Sequence, residues 1–204
     1  MMMGVLNQKR ALPDWLYAPF NTVTQFNDLS SNNTQLTKNG TGLVVNTTND
    51  PNGALQFSTT GWLTTNTAKP LLAKNFKISC EIFIAPASNA FSAFLAQRIN
   101  STTNDIEFYS LSDGRLYVVI YFSDNSGETF TGVAVRNQWQ SIEMSRIGNV
   151  FTLKVDGVIA ETKTINKTVR NLSNGIFSIG SASQGSASGN PTGSMRKLRI
   201  QVGN

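Results

Sequence analysis

Trp139 to Gly157, W-Q-S-I-E-M-S-R-I-G-N-V-F-T-L-K-V-D-G, decides the fold. Ile142 and Met144 fall on one side of an extended chain, while Gln140, Glu143 and Arg146 interrupt the apolar run. Gly148-Asn149 then supplies a turn. Behind it Phe151, Leu153 and Val155 alternate with Thr152, Lys154 and Asp156. A period of two belongs to a half-buried strand, because successive side chains leave a strand on opposite faces. Asp156-Gly157 tolerates the positive φ of a tight primed turn, so a third strand is expected from Val158.

The same pattern spreads in both directions. Phe76, Ile78, Cys80, Ile82 and Ile84 alternate with Lys77, Ser79 and Glu81 until Pro86 stops the strand. Shorter strands are expected at 43–45, 54–57, 61–63, 91–98, 105–111, 115–122, 128–135, 158–164, 176–180 and 194–202. Turns at 39–42, 49–53, Asp113-Gly114 and 124–127 separate them. Residues 115–122 are apolar on both faces, which suits a central strand. Ser181 to Gly193 reads as a flexible loop of small residues. A dozen or so strands, no helical period and no fixed repeat point to an all-β, two-sheet antiparallel sandwich or jelly roll.

Composition removes several functions. A chain of 204 residues buries about 70% of its unfolded surface and needs no disulfide or metal staple. Charged residues make up 14%, and 22 Asn and 21 Thr carry the solubility instead. The net charge of +5 is scattered, with its densest cluster at Arg196-Lys197-Arg199. Nucleic-acid binders concentrate charge in a stripe between aromatic platforms, so no nucleic-acid partner is expected. Cys80 stands alone, which excludes an intrachain disulfide and suits a buried structural thiol. Histidine is absent, and with it the commonest general base and zinc ligand. No apolar run is long enough to span a membrane as a helix, and no ordinary export signal is recognised, so a soluble product is expected.

Residues 1–20 differ from the rest. They show neither period, and Pro13 and Pro19 favour an extended path. Leu12, Trp15, Leu16, Tyr17 and Phe20 on such an arm must be covered. Their cover is either the domain's own flank or a neighbouring subunit. The chain is therefore divided into an extended N-terminal arm, 1–20, and a sandwich, 21–204, with the arm expected to serve assembly.

From Phe76 onward the order is F-K-I-S-C-E-I-F-I, a strand pair around Asp113-Gly114, Trp139 with alternating apolars, V-F-T-L-K-V-D-G, I-F-S-I-G, a small-residue loop and G-S-M-R-K-L-R-I. This order resembles the concanavalin A-like lectin/glucanase superfamily, in particular its laminin-G-like members, over roughly residues 20–204. The resemblance implies two curved antiparallel sheets packed face to face, with Trp139 and the Asp156-Gly157 turn structural.

Glucanases of that superfamily carry a strand of the type E-x-D-x-x-E, since glycoside hydrolysis needs two carboxylates flanking the bond. Here only Asp105-Ile106-Glu107 approaches it, and no catalytic residue is assigned. The resemblance implies that calcium is an option, since laminin-G-like domains often bind it, but Asp113, Asp124 and Asp156 sit where turn geometry calls for Asp, so no metal or cofactor site is assigned. Sugar binding calls for aromatic faces beside hydroxyls and amides. Tyr109, Tyr117 and Tyr121 meet that need if their strands adjoin, with Trp62 a fourth candidate; the same rings also suit packing.

A domain without catalytic residues, rich in Asn, Thr, Ser and Gly, behind an apolar arm resembles bacteriophage virion proteins. The leading expectation is a non-enzymatic virion structural protein, a capsid decoration or tail-fibre-like surface subunit made in the host cytoplasm. Its partners would be other capsid or tail proteins and copies of itself. The alternative is a lectin or adhesin domain that binds host-surface glycan, and behind it a polysaccharide hydrolase acting through Asp105 and Glu107.

Overall fold

The structure, a computed structural model, describes residues 12–58, 60–66, 75–85, 91–98, 104–133, 135–170, 175–181 and 192–203. Fifteen strands and no helix occupy them. They are β1 (Asp14–Ala18), β2 (Leu36–Gly40), β3 (Val44–Asn46), β4 (Ala54–Gln56), β5 (Gly61–Thr65), β6 (Phe76–Ile84), β7 (Phe91–Arg98) and β8 (Asn104–Leu111), then β9 (Arg115–Tyr121), β10 (Gly127–Val133), β11 (Trp139–Ile147), β12 (Val150–Val155), β13 (Val158–Thr164), β14 (Ile176–Ile179) and β15 (Gly193–Val202). All pairings are antiparallel. One sheet runs β13-β12-β11-β6-β15-β4-β3, with β1 added beside β15; the other runs β10-β9-β8-β7-β14-β5-β2.

The turns follow the residues that permit them. Ile147 pairs with Val150 across Gly148-Asn149, and Gly148 takes a φ of 60°. Val155 pairs with Val158 across Asp156 (φ 51°) and Gly157 (φ 78°), the two consecutive positive values a primed turn requires. The Asp156 carboxylate also accepts the Ser141 N–H at 2.8 Å and the Gln140 amide at 3.2 Å, tying the hairpin to β11.

Alternation built the core. Phe76, Ile78, Cys80, Ile82 and Ile84 of β6 all turn inward, and Ile142, Met144, Phe151 and Leu153 lie beside them. Leu116, Val118 and Ile120 of β9 face them with Ile106, Phe108, Leu63 and Phe177. Rings bridge the layers: Phe130 meets Phe151 at 6.1 Å between centroids and Trp15 meets Phe177 at 5.8 Å. Such aromatic pairs add to the burial energy of the two sheets. Cys80 is a buried free thiol whose pKa burial, with the nearby Glu81 charge, pushes up to about 12. A thiol held protonated is inert.

The second half of the expected arm is corrected here. Asp14–Ala18 is strand β1, paired with Leu198–Gln201 of β15. Leu16, Ala18 and Phe20 are wholly buried and Trp15 nearly so. Without β1 that edge of β15 would present unpaired N–H and C=O groups and a strip of bare core. The Leu12 carbonyl accepts the Gln201 amide at 3.0 Å. Asp28 holds the next loop down, its carboxylate accepting the N–H groups of Tyr17 (2.8 Å) and Thr34 (2.7 Å). Residues 1–11 lie outside the described residues, as does most of the expected loop 181–193.

Two strands went unread for physical reasons. β1 contains a bulge between Asp14 and Leu16, so its burial breaks the period of two. β2, L-T-K-N-G, is a mostly exposed edge strand with no apolar face, and its Asn39-Gly40 end reads as part of a turn.

Candidate functional site

An open groove of about 370 Å³ crosses the outer face of the eight-stranded sheet. Its axis is one register row: Tyr17 opposes Arg199, Arg199 opposes Ser79, Ser79 opposes Glu143, and Glu143 opposes Lys154. The adjoining row sets Arg196 beside Glu81 and Glu81 beside Ser141. Opposed side chains lie about 5 Å apart on a sheet, so each row is a line of contacts. Ser79 and Ser141 are the short side chains at the centre, and the longer ones around them form the walls. The row crosses five strands, roughly 19 Å at the usual strand spacing.

A bulge in β15 supplies the basic wall. The register with β6 shifts between Arg196 and Arg199, and Lys197 takes a φ of 55°. A lysine in the left-handed region costs on the order of 1 kcal/mol. The gain in placement is that Arg196 and Arg199 both lie on the outer face, Lys197 is exposed between them, and Leu198 alone turns into the core. Arg196 packs over the Trp139 ring at 4.2 Å, Phe83 meets that ring at 5.8 Å, and the Trp139 Nε1 donates to the Asn49 carbonyl at 2.8 Å.

Both carboxylates of the groove are matched by two cations. Glu81 accepts Arg196 Nε at 2.5 Å and Lys197 Nζ at 2.7 Å, and Arg196 also pairs with the buried Asp50. Glu143 accepts Lys77 at 2.8 Å and Lys154 at 3.4 Å. Burial pushes the Glu143 carboxyl up, but Lys77 and Lys154 outweigh it and leave the group below the ordinary glutamate value. A general acid needs the opposite shift.

Of the residues singled out from the sequence, Tyr109, Tyr117 and Tyr121 do come together, on the outer face of the seven-stranded sheet. Tyr109 and Tyr117 are register partners stacked 5.3 Å apart at 23°. The Arg115 guanidinium lies 5.5 Å from the Tyr117 ring. Tyr121 donates its hydroxyl to Glu107 at 3.0 Å and has Arg170 5.9 Å over its ring. Burial, then the Glu107 charge and Tyr117, raise the Tyr109 hydroxyl above the tyrosine range. These contacts engage the Tyr117 ring and the hydroxyl of Tyr121. Trp62 stands apart on β5, with β8, β7 and β14 between it and Tyr117.

Glu107 is ion-paired with Arg98 and is 5% exposed, and Asp105 is fully buried. This geometry speaks against the hydrolase expectation for that pair, because carboxylates this deeply buried are not presented to a glycosidic oxygen. Asp113 pairs with Arg115, Asp124 with Ser126 and Lys167, and Asp156 with the hairpin, all within their own neighbourhoods. Among the described residues no three Asp, Glu or Cys side chains gather closely enough to hold a metal ion.

The model of the concanavalin A-like lectin/glucanases superfamily matches residues 57–202. The chain belongs to that superfamily. The lectin-like sandwich is shared by solved structures at low identity. The botulinum neurotoxin serotype D binding domain superposes with a TM-score of 0.74 and 13% identity, over 94% of this chain and 49% of that one. The receptor binding domain of the botulinum neurotoxin C/D mosaic gives 0.73 and 13%, over 94% and 48%. The serotype G binding domain gives 0.71 and 13%, over 94% and 48%. The chain thus spans about half the length of these structures, and the likeness is one of fold. No curated protein sequence matches it.

The groove was not read from the sequence. One signal was present: M-R-K-L-R-I puts two basic residues in succession into an alternating strand, which a bulge accommodates. The pairing of that strand with β6 and β1 had no local signal.

Proposed function

We propose that this lectin-like sandwich is a non-catalytic carbohydrate-binding domain whose ligand seat is the groove across β12, β11, β6, β15 and β1. One observation carries the reading: a serine floor between walls of Glu81, Glu143, Lys154 and Arg199, with each carboxylate ion-paired to two cations. Hydroxyl-rich ligands need such alternating donors and acceptors, and fixed anions accept sugar hydroxyls without transferring protons. Membership of a superfamily of lectins and glucanases supports the substrate class.

The test fills the floor. Ser141 is exposed, so Ser141→Trp blocks the groove with little cost to folding. On a glycan array the parent should bind and Ser141→Trp should be silent, while Tyr109→Ala binds as the parent does. Binding unaffected by the tryptophan, or abolished at Tyr109, removes the groove as the seat.

A second reading, a subunit of a larger assembly such as a virus particle, draws on a different surface. The β10 and β13 edges meet, with Lys163 donating to the Thr129 carbonyl (2.8 Å) and Glu161 accepting the Thr131 N–H (2.7 Å). Two residues further along each strand are Val133 and Ile159, which with Val158 are exposed apolar side chains. An apolar strip on a sheet edge suits subunit contact. The mass of the chain in solution is its measurement. Residues 14–20, buried in their own sandwich, lend this reading no support.

A further inference from the structure

We propose that the groove selects a sugar carrying a carboxylate, and that Arg199 is the residue that grips it. The inference rests on the reading of the groove as a saccharide seat and adds the ligand's chemical class.

The cations of the outer face are unequally spent. Arg196 divides itself between Asp50 and Glu81, Lys197 sits on Glu81, and Lys77 and Lys154 share Glu143. Arg199 differs. Among the described residues its one ionic contact is Nε to Asp14 Oδ2 at 3.5 Å, and Asp14 accepts the Gln201 amide on its other oxygen at 2.9 Å. The two Nη nitrogens of Arg199 have no hydrogen-bond partner among the described residues. The guanidinium is nevertheless held in place, 4.4 Å from the centre of the Tyr17 ring. Stacking on an aromatic face fixes the plane of the fork and leaves its two outer N–H groups for a planar, bidentate anion.

The rest of the groove chooses which anion. Glu81 and Glu143 lie along the same rows, each ion-paired to two cations, and offer carboxylate oxygens to whatever Arg199 holds. An inorganic sulfate or phosphate dianion brings one negative charge more beside those carboxylates than a monocarboxylate does. A monocarboxylate with several hydroxyls meets one cation and a set of acceptors: Ser79, Ser141 and the two glutamates. A neutral sugar satisfies the acceptors but leaves the fork bare. The ligand that answers every group is a sugar acid, such as a uronate or a sialic acid within a glycan. Arg199 and Lys154 close the two ends of its seat, roughly 14 Å apart across three strand spacings.

The test compares the parent chain with Arg199→Lys, which keeps the charge without the fork, and Arg199→Met. All three go on a glycan array with carboxylated, sulfated and neutral glycans printed side by side. The best carboxylated glycan and its neutral counterpart are then titrated calorimetrically, with inorganic sulfate and glucuronate as separate competitors. The parent should prefer the carboxylated glycan by about tenfold or more. Arg199→Lys should weaken it by about tenfold and Arg199→Met by up to about a hundredfold, with a much smaller loss for neutral glycans, so that the preference for the carboxylated glycan collapses. Equal affinity of Arg199→Met for the carboxylated glycan, or displacement by sulfate at lower concentration than by glucuronate, overturns the proposal while the saccharide reading stands. A parent silent on every glycan overturns both. Arg199 is 41% exposed, so the variants should melt near the parent; if Arg199→Met does not fold, the Arg199→Lys titration decides.

Discussion

Leu16→Ala should destabilise the sandwich by about 3 kcal/mol, within the range of roughly 2 to 5 for burying too little where a leucine was enclosed. Leu16 has no exposed surface, lies in register with Ile200, and belongs to the same cluster as Ile78, Phe177 and Leu198. The alanine keeps the backbone pairing of β1 and β15, so the loss is confined to transfer energy and the cavity left behind. For a chain of this size each kcal/mol moves the melting midpoint by about 2 to 4 °C, which places the variant some 6 to 12 °C below the parent. Urea unfolding followed by tryptophan fluorescence measures it directly, with an unchanged slope because the same surface is exposed on unfolding. Val23→Ala, at a side chain 86% exposed, is the control and should stay within about 0.5 kcal/mol. Were residues 14–20 an arm that docks only on another subunit, Leu16→Ala would leave the isolated chain as stable as the parent. A difference below about 0.5 kcal/mol refutes the strand assignment and restores the arm.

Glu143 makes stability depend on acid. Its folded pKa lies below the unfolded value, so its contribution is complete above the unfolded pKa, near 4.3, and is lost as pH falls through the folded value. The gap in urea midpoint between the parent and Glu143→Gln should therefore be present at pH 7 and close below about pH 4; a gap that widens in acid contradicts the ion pairs with Lys77 and Lys154. For the assembly reading, light scattering should give a mass above the 22.2 kDa monomer, and Ile159→Lys should return it to that value. A parent that stays monomeric at high concentration removes that reading.

Much of the fold was legible because its cause is local. The period of two in β6, β11, β12 and β9 follows from one apolar side chain per pair of residues, and any sheet that buries them must turn the odd ones out. Asp156-Gly157 and Gly148-Asn149 announce hairpins because few other dipeptides accept positive φ. Cys80 reads as buried because it falls on the apolar phase of β6. β1 was misread for the complementary reason: its reward is the open edge of β15, nearly two hundred residues away, and D-W-L-Y-A carries no trace of that partner.

The tyrosines show where residue type alone misleads. Aromatic rings near polar residues suit a sugar platform and a packed network equally, and only their stacking and the ion pair between Arg98 and Glu107 distinguish the two. The groove shows the converse. Arg199, Ser79, Glu143 and Lys154 are scattered over four strands and are unremarkable one by one. Most of the strands, the turns and the inward side chains were legible in the chain itself, since they depend on neighbours within a few residues, β1 and β2 being the exceptions. The tertiary structure alone decided which strands lie side by side, and so which outward side chains form a row, because register couples residues that the chain keeps far apart.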